Sequence, residues 1–234
     1  SGKLVDTSLA IDYSIVNPAK LPVALQMDIC QRCHIQGNAV LMEGKTFFDF
    51  RPGMHLYDVM NVFMPVFKGD ENSHIMASHV ERMKMSKCFI NTAEKVERQT
   101  SKNALKPYQD AMTCVTCHNP HVSVKVTGSD VFNNACKRCH FDPIPAFPKG
   151  EGVMSSTIIC TGDKNKRLIV QDNCVLCHMP KNNTIDIPHV TVTDHYIRKP
   201  VDKSAVQKIK EFVGLACINN SKAPEKALAE AYLS

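Results

Sequence analysis

The chain has 234 residues and no tryptophan, and only 6% of its residues are aromatic. That is a thin stock of large core-filling side chains for one large domain or two small ones. No apolar run is long enough to cross a membrane, so a spanning segment is excluded from the reading. The formal charge is +5, yet Lys and Arg are dispersed, with no basic run and no nucleic-acid-binding motif. A nucleic-acid partner is therefore not expected. The chain opens Ser1-Gly2-Lys3, with neither an initiator Met nor a signal peptide, which reads as a processed or partial chain.

Cysteine, by contrast, is abundant. Eleven are too many for a cytosolic protein without a metal or cofactor role. Eight of them fall into four identical frames: Cys30-Gln-Arg-Cys33-His34, Cys114-Val-Thr-Cys117-His118, Cys136-Lys-Arg-Cys139-His140 and Cys174-Val-Leu-Cys177-His178. A bare Cys-x-x-Cys serves zinc or redox chemistry equally well, and the trailing His decides between them. With 10 His in 234 residues a given position is His about 4% of the time, so four hits in four frames arise by chance on the order of a few times in a million. The pattern is that of c-type haem attachment. Positions three apart on a helical turn share a face, so two thiols can each bond one vinyl group of the same porphyrin. The adjacent His can then reach the iron as proximal ligand.

The expectation is four haem c. The covalent attachment sites are Cys30, Cys33, Cys114, Cys117, Cys136, Cys139, Cys174 and Cys177, and the proximal iron ligands are His34, His118, His140 and His178. Haems would supply the core that the aromatics do not. Their eight propionates would take the charge from +5 to −3, and four ferric centres would return it to +1, so the basic excess is poor evidence for an anionic partner.

The expected class is mainly α with extensive loops and little β, organised around the haems. Residues 1–23 read as an extended lead-in, and a short helix over Leu25 to His34 carries the first frame. Leu56, Val59, Met60, Phe63 and Phe67 fit one face of a helix over 55–67. Asp70 or Asn72 could cap a longer helix running to about Cys88. Residues 91–103 are polar and read as a loop, and the Pro- and Gly-rich 141–152 as irregular chain. A helical pattern covers Lys203 to Ala216, and another starts near Pro224. The domain division is 1–216 for the haem domain and 217–234 for a helical extension.

Six histidines remain for the second axial positions. His121 is too near His118 to swing round the same haem, so a different haem is its target. His79 shares an apolar face with Ile75, Met76 and Met83, whereas His74 lies about 140° round the same helix and reads as solvent-facing. His55 follows Pro52-Gly53 and looks least constrained. His189 and His195 lie on a segment whose Val/Thr alternation suggests extended chain, where six residues span about 20 Å and would reach two different irons. The distal candidates are thus His79, His121, His189 and His195, giving irons ligated by two imidazoles each. The 11 Met read as packing. Of the three remaining cysteines, Cys88 and Cys160 are the candidate disulfide pair, with Cys217 a buried thiol.

The stretches CHNPH, CHMPK and DIPHVTVTDHYIRKP resemble the multihaem cytochromes related to pentahaem nitrite reductase, hydroxylamine oxidoreductase and its tetrahaem electron acceptor. ICQRCHIQGNAV, IMASHVERMKMSKC and FNNACKRCH are similar to stretches of bacterial multihaem proteins in which such a domain precedes tetratricopeptide repeats. The resemblance covers roughly residues 11–234. It implies packed haem pairs in a largely helical fold, and a distal ligand at His195. The lysine that replaces the frame His at the catalytic haem of those nitrite reductases is absent, and the five Tyr give no support for the tyrosine cross-link of hydroxylamine oxidoreductase. EKALAEAYLS resembles the entry to a repeat array, so a longer polypeptide is expected.

The expected function is electron transport between redox partner proteins or other haem subunits, by a carrier and not an enzyme. The alternatives are a multihaem oxidoreductase of small nitrogen or sulfur compounds with one open iron, or a haem subunit of a larger electron-conducting assembly, homo-oligomer or filament. Because c-type haem is attached outside the cytoplasm, the expected location is periplasmic or extracellular.

Overall fold

The computed structural model describes residues 16–18, 21–68, 78–98, 111–142, 157–158, 160–183, 189–200 and 211–234. Its strands are β1 (Asn38–Leu41), β2 (Met60–Lys68), β3 (Phe141–Asp142), β4 (Thr157–Ile158), β5 (Lys181–Asn183), β6 (Thr191–Thr193) and β7 (Glu211–Cys217). Its helices are α1 (Val23–His34), α2 (Val80–Lys84), α3 (Lys87–Arg98), α4 (Ser129–Lys137), α5 (Lys164–Ile169), α6 (Cys174–His178) and α7 (Glu225–Leu233). The expected mainly α multihaem fold with little β is therefore corrected. Among the described residues the architecture is mixed α/β, with a three-stranded sheet in the order β1-β2-β7 and the two-stranded sheets β3-β4 and β5-β6.

The largest departure is at residues 55–67. A single 3-10 turn, Leu56–Asp58, leads into strand β2 in place of a helix. β2 pairs antiparallel with β1 on one edge and with β7 on the other. Met60, Asn61, Val62, Phe63 and Met64 are all buried, so both faces of the strand are covered. A run buried on both faces loses the alternation that marks a strand, and its dense apolar residues then satisfy a helical spacing by number alone. Pro65 is tolerated in this central strand because β1 begins at Asn38, opposite Phe63, and does not extend alongside it. Residues 211–216, expected as helix, form most of β7 on the far edge. The remainder of that pattern, 203–210, lies outside the described residues.

The two faces of β2 bury separate clusters. Leu56, Met60, Val62 and Ile35 form one, and Val40, Phe63, Ala227 and Ala231 the other. Ala227 and Ala231 are one turn apart on α7, so their small side chains let the helix lie close on the sheet. The proposed boundary between residues 216 and 217 falls inside β7, and α7 packs on the sheet to which β7 belongs. Gly37 enters β1 at φ +150°, where a Cβ would lie 2.6 Å from the Phe63 carbonyl oxygen, so a side chain is excluded by both conformation and space.

A third cluster, Met27, Val80 and Met83, joins α1 to α2 and leads from the sheet to the histidines. α1 carries the first frame as the sequence suggests. The helix expected up to Cys88 is broken at Met85–Ser86 into α2 and α3, and its start lies outside the described residues. α3 runs through residues expected as loop. Phe89, Thr92, Ala93 and Val96 are half-buried at helical spacing while its other described positions before 97 are mostly exposed, so the polar composition belongs to a solvated face.

Candidate functional site

Each frame sits on or beside a helical turn. The first closes α1, the second lies on a 3-10 turn (Cys114–Thr116), the third ends α4 and the fourth is α6. Asn173 caps α6, its side chain accepting from the amides of Val175 and Leu176. This fixes a helix of only five residues at its start.

Four imidazoles from distant parts of the chain converge. The His34 and His79 ring centroids are 5.7 Å apart, with 30° between planes. His118 and His195 are 6.1 Å apart, also at 30°. His79 and His195 touch, at 4.4 Å. His34 and His118, two of the four frame histidines, therefore each neighbour a histidine from outside the frames, and the two pairs meet through His79 and His195. The His79 amide donates to the His34 carbonyl at 3.2 Å, which ties α2 to the end of α1. Burial, and then the charge of His34, hold the His118 imidazole below its ordinary pKa, so the neutral, ligating form is favoured. His195 Nδ1 lies 2.9 Å from the Thr193 carbonyl oxygen. A carbonyl only accepts, so Nδ1 carries the proton and Nε2 is the unprotonated nitrogen of the neutral ring. His178 is oriented in the same way, with Nδ1 2.8 Å from the Arg198 carbonyl oxygen.

The segment that carries His195 is docked on α2 by a buried polar group. Arg82 forks onto Asp194, with Nε 2.9 Å from Oδ1 and Nη2 2.6 Å from Oδ2. The Tyr196 amide also donates to Oδ1 at 2.9 Å, and Asn182 Nδ2 to Oδ2 at 3.2 Å. Ser86 Oγ donates to the His195 carbonyl at 3.1 Å and accepts from the Ile197 amide at 2.8 Å. The Tyr196 ring has the Arg82 guanidinium 5.2 Å from its centroid and that of Arg198 4.5 Å from it.

The other candidates stand apart from this group. His121 is exposed beyond the second frame, and its amide donates to Asn119 Oδ1 at 3.0 Å. His189 is exposed and has φ 62°, so the extended segment is interrupted there and β6 covers only Thr191–Thr193. His140 is exposed. His55 stacks on Tyr57 at 4.6 Å, and its Nδ1 lies 3.0 Å from Asp28 Oδ2, a partner that sequence did not suggest. His74 lies outside the described residues.

All 11 cysteines are free thiols, Cys88 and Cys160 included. Thiols of different frames approach one another. Cys114 hydrogen-bonds Cys30, and this lowers the Cys30 thiol to about 7 while the more deeply placed Cys114 is held up. Burial, followed by the charges of Cys174 and Cys117, pushes Cys136 up to about 12. Burial also raises Cys88, which feels Cys139 among the frame thiols.

The expectation of four haem c, one on each frame, is corrected at this point. Among the described residues no group of three or more His, Cys, Asp or Glu side chains could hold a metal ion. The reason is geometric: imidazoles meet two by two, thiols meet across frames, and the third and fourth frames do not repeat the arrangement of the first two. Metal–imidazole bonds of about 2 Å would put the centroids of two rings on one metal about 6 Å apart, and the two pair separations are 5.7 and 6.1 Å.

No family model, curated protein or solved structure matches the chain. Among the described residues no helix is long and apolar enough to cross a membrane.

Proposed function

We propose that the protein transfers electrons, with His34 and His79, and His118 and His195, as the residues that would hold redox-active centres. The observation that carries this reading is the pair of ring gaps of nearly equal width, 5.7 and 6.1 Å, joined by the 4.4 Å contact between His79 and His195. A centre held by two imidazoles would have no position open to a substrate, which favours relay over catalysis. The His79–His195 contact would join the two pairs. His195 supports the reading through its tautomer, and His118 through its preference for the neutral form. The donor and acceptor are redox proteins or further copies of such a subunit, in the periplasm or outside the cell.

The test is reduction of the purified protein under argon, followed by absorbance, with and without nitrite, hydroxylamine or carbon monoxide. Reversible electron uptake with spectra unchanged by the three additives is expected. Turnover of either nitrogen compound, or a new spectrum with carbon monoxide, would show an open site and refute relay through filled axial positions.

A further inference from the structure

We infer that Arg82 and Asp194 are positioning residues that set the contact between the His79 and His195 rings, an inference that rests on the electron-transfer reading above. His79 is the residue before α2, three positions ahead of Arg82, and His195 directly follows Asp194. The ion pair is thus the shared anchor of two rings 4.4 Å apart that belong to different gaps. Its side chains are 3% and 0% exposed, and donors from Arg82, Asn182 and the Tyr196 amide fix the Asp194 carboxylate in one orientation. Ser86 fixes the backbone on either side of Tyr196, at the His195 carbonyl and the Ile197 amide.

A buried ion pair contributes little net stability compared with apolar residues of similar volume, whereas a fork of fixed geometry specifies one arrangement. The pair is neutral as a whole, so its main effect on the centres is through ring placement and not through local charge.

Stability and positioning separate in a double variant. Arg82→Met with Asp194→Leu removes both charges and keeps the volume filled, so its melting temperature should return toward wild type, while each single variant melts lower. If the pair positions the rings, the double variant loses the proton–proton NOE between His79 and His195 and shifts the spacing of the reduction midpoints. A double variant that melts like wild type and keeps both the NOE and the midpoints would overturn the inference. Ser86→Ala removes one docking contact without burying a lone charge. It should weaken the same NOE and shift the midpoints in the same direction by less, and unchanged values in Ser86→Ala would also count against the inference. The NOE reads ring placement directly, so failure of the electron-transfer reading appears separately, as a wild-type protein that takes up no electrons.

Discussion

In the sheet of β1, β2 and β7 the hydrogen bonds are largely the strand ladder and the packing is apolar on both faces of β2. Around His79 and His195 the elements are a five-residue helix, a three-residue strand and extended chain, held by an ion pair, a serine and an asparagine. The sheet spreads its stability over many small contacts, so no single one decides where a backbone atom lies. The histidine region concentrates its order in a few buried groups, which can place rings closely but fail together. The sheet gives the chain a stable body, and the polar docking adjusts the site.

This contrast can be broken most sharply at Asp194. Asp194→Ala removes the carboxylate onto which the buried Arg82 guanidinium forks, and should cost about 3–5 kcal/mol in denaturant unfolding while also disturbing the reduction midpoints. Leu56→Ala, in the fully buried sheet cluster, should cost about 2–5 kcal/mol and leave those midpoints where they were. If Leu56→Ala moves the midpoints as far as Asp194→Ala does, the two regions are not separable as described. Asn173→Ala removes the cap of α6 and should cost about 0.5–2 kcal/mol, with increased amide exchange at Val175 and Leu176 as the local sign.

The smallest effect is a pH dependence at the junction of α1 with the turn before β2. Burial raises the Asp28 carboxyl above its ordinary value of 3.8, and the hydrogen bond to His55 only partly offsets this. A raised carboxyl favours the protonated folded state, so its contribution is fully present below the unfolded value and is lost as pH rises through the folded one. The stability of Asp28→Asn relative to wild type should therefore increase as pH rises from about 4 into the range above. Parallel pH profiles for the two proteins would remove Asp28 from the account.

The frames and α1 are legible in the sequence because both are local: a fixed spacing, and a helical stretch that ends on its own cysteines and histidine. β2 is not, because its partners β1 and β7 cover both its faces and erase the alternation. α3 is hidden by the opposite effect, a charged outer face over the half-buried stripe of Phe89, Thr92, Ala93 and Val96. His79 and His195 stand out as histidines surplus to the frames, and the structure brings both to the site. His121 and His189 have the same local signal but lie exposed, since nothing in a five-residue neighbourhood tells which surplus histidine a distant helix will meet. Arg82 and Asp194 leave almost no trace. They are 112 positions apart, and Arg82, with Glu81 and Lys84 beside it in a five-residue helix, reads as solvated until its partner is seen. The Thr-Asp-His sequence at 193–195 is the one hint available, placing a carboxylate beside a candidate ligand.

Two imidazole pairs that would each hold a centre, joined through His79 and His195, can be probed by potentiometric reduction of wild type, His79→Met and His195→Met side by side. A thioether in place of an imidazole raises the potential of the centre it ligates. The wild type should titrate in separable steps, His79→Met should raise one of them, and His195→Met should raise a different one. Three superimposable titrations, or both variants moving the same step, would contradict that assignment.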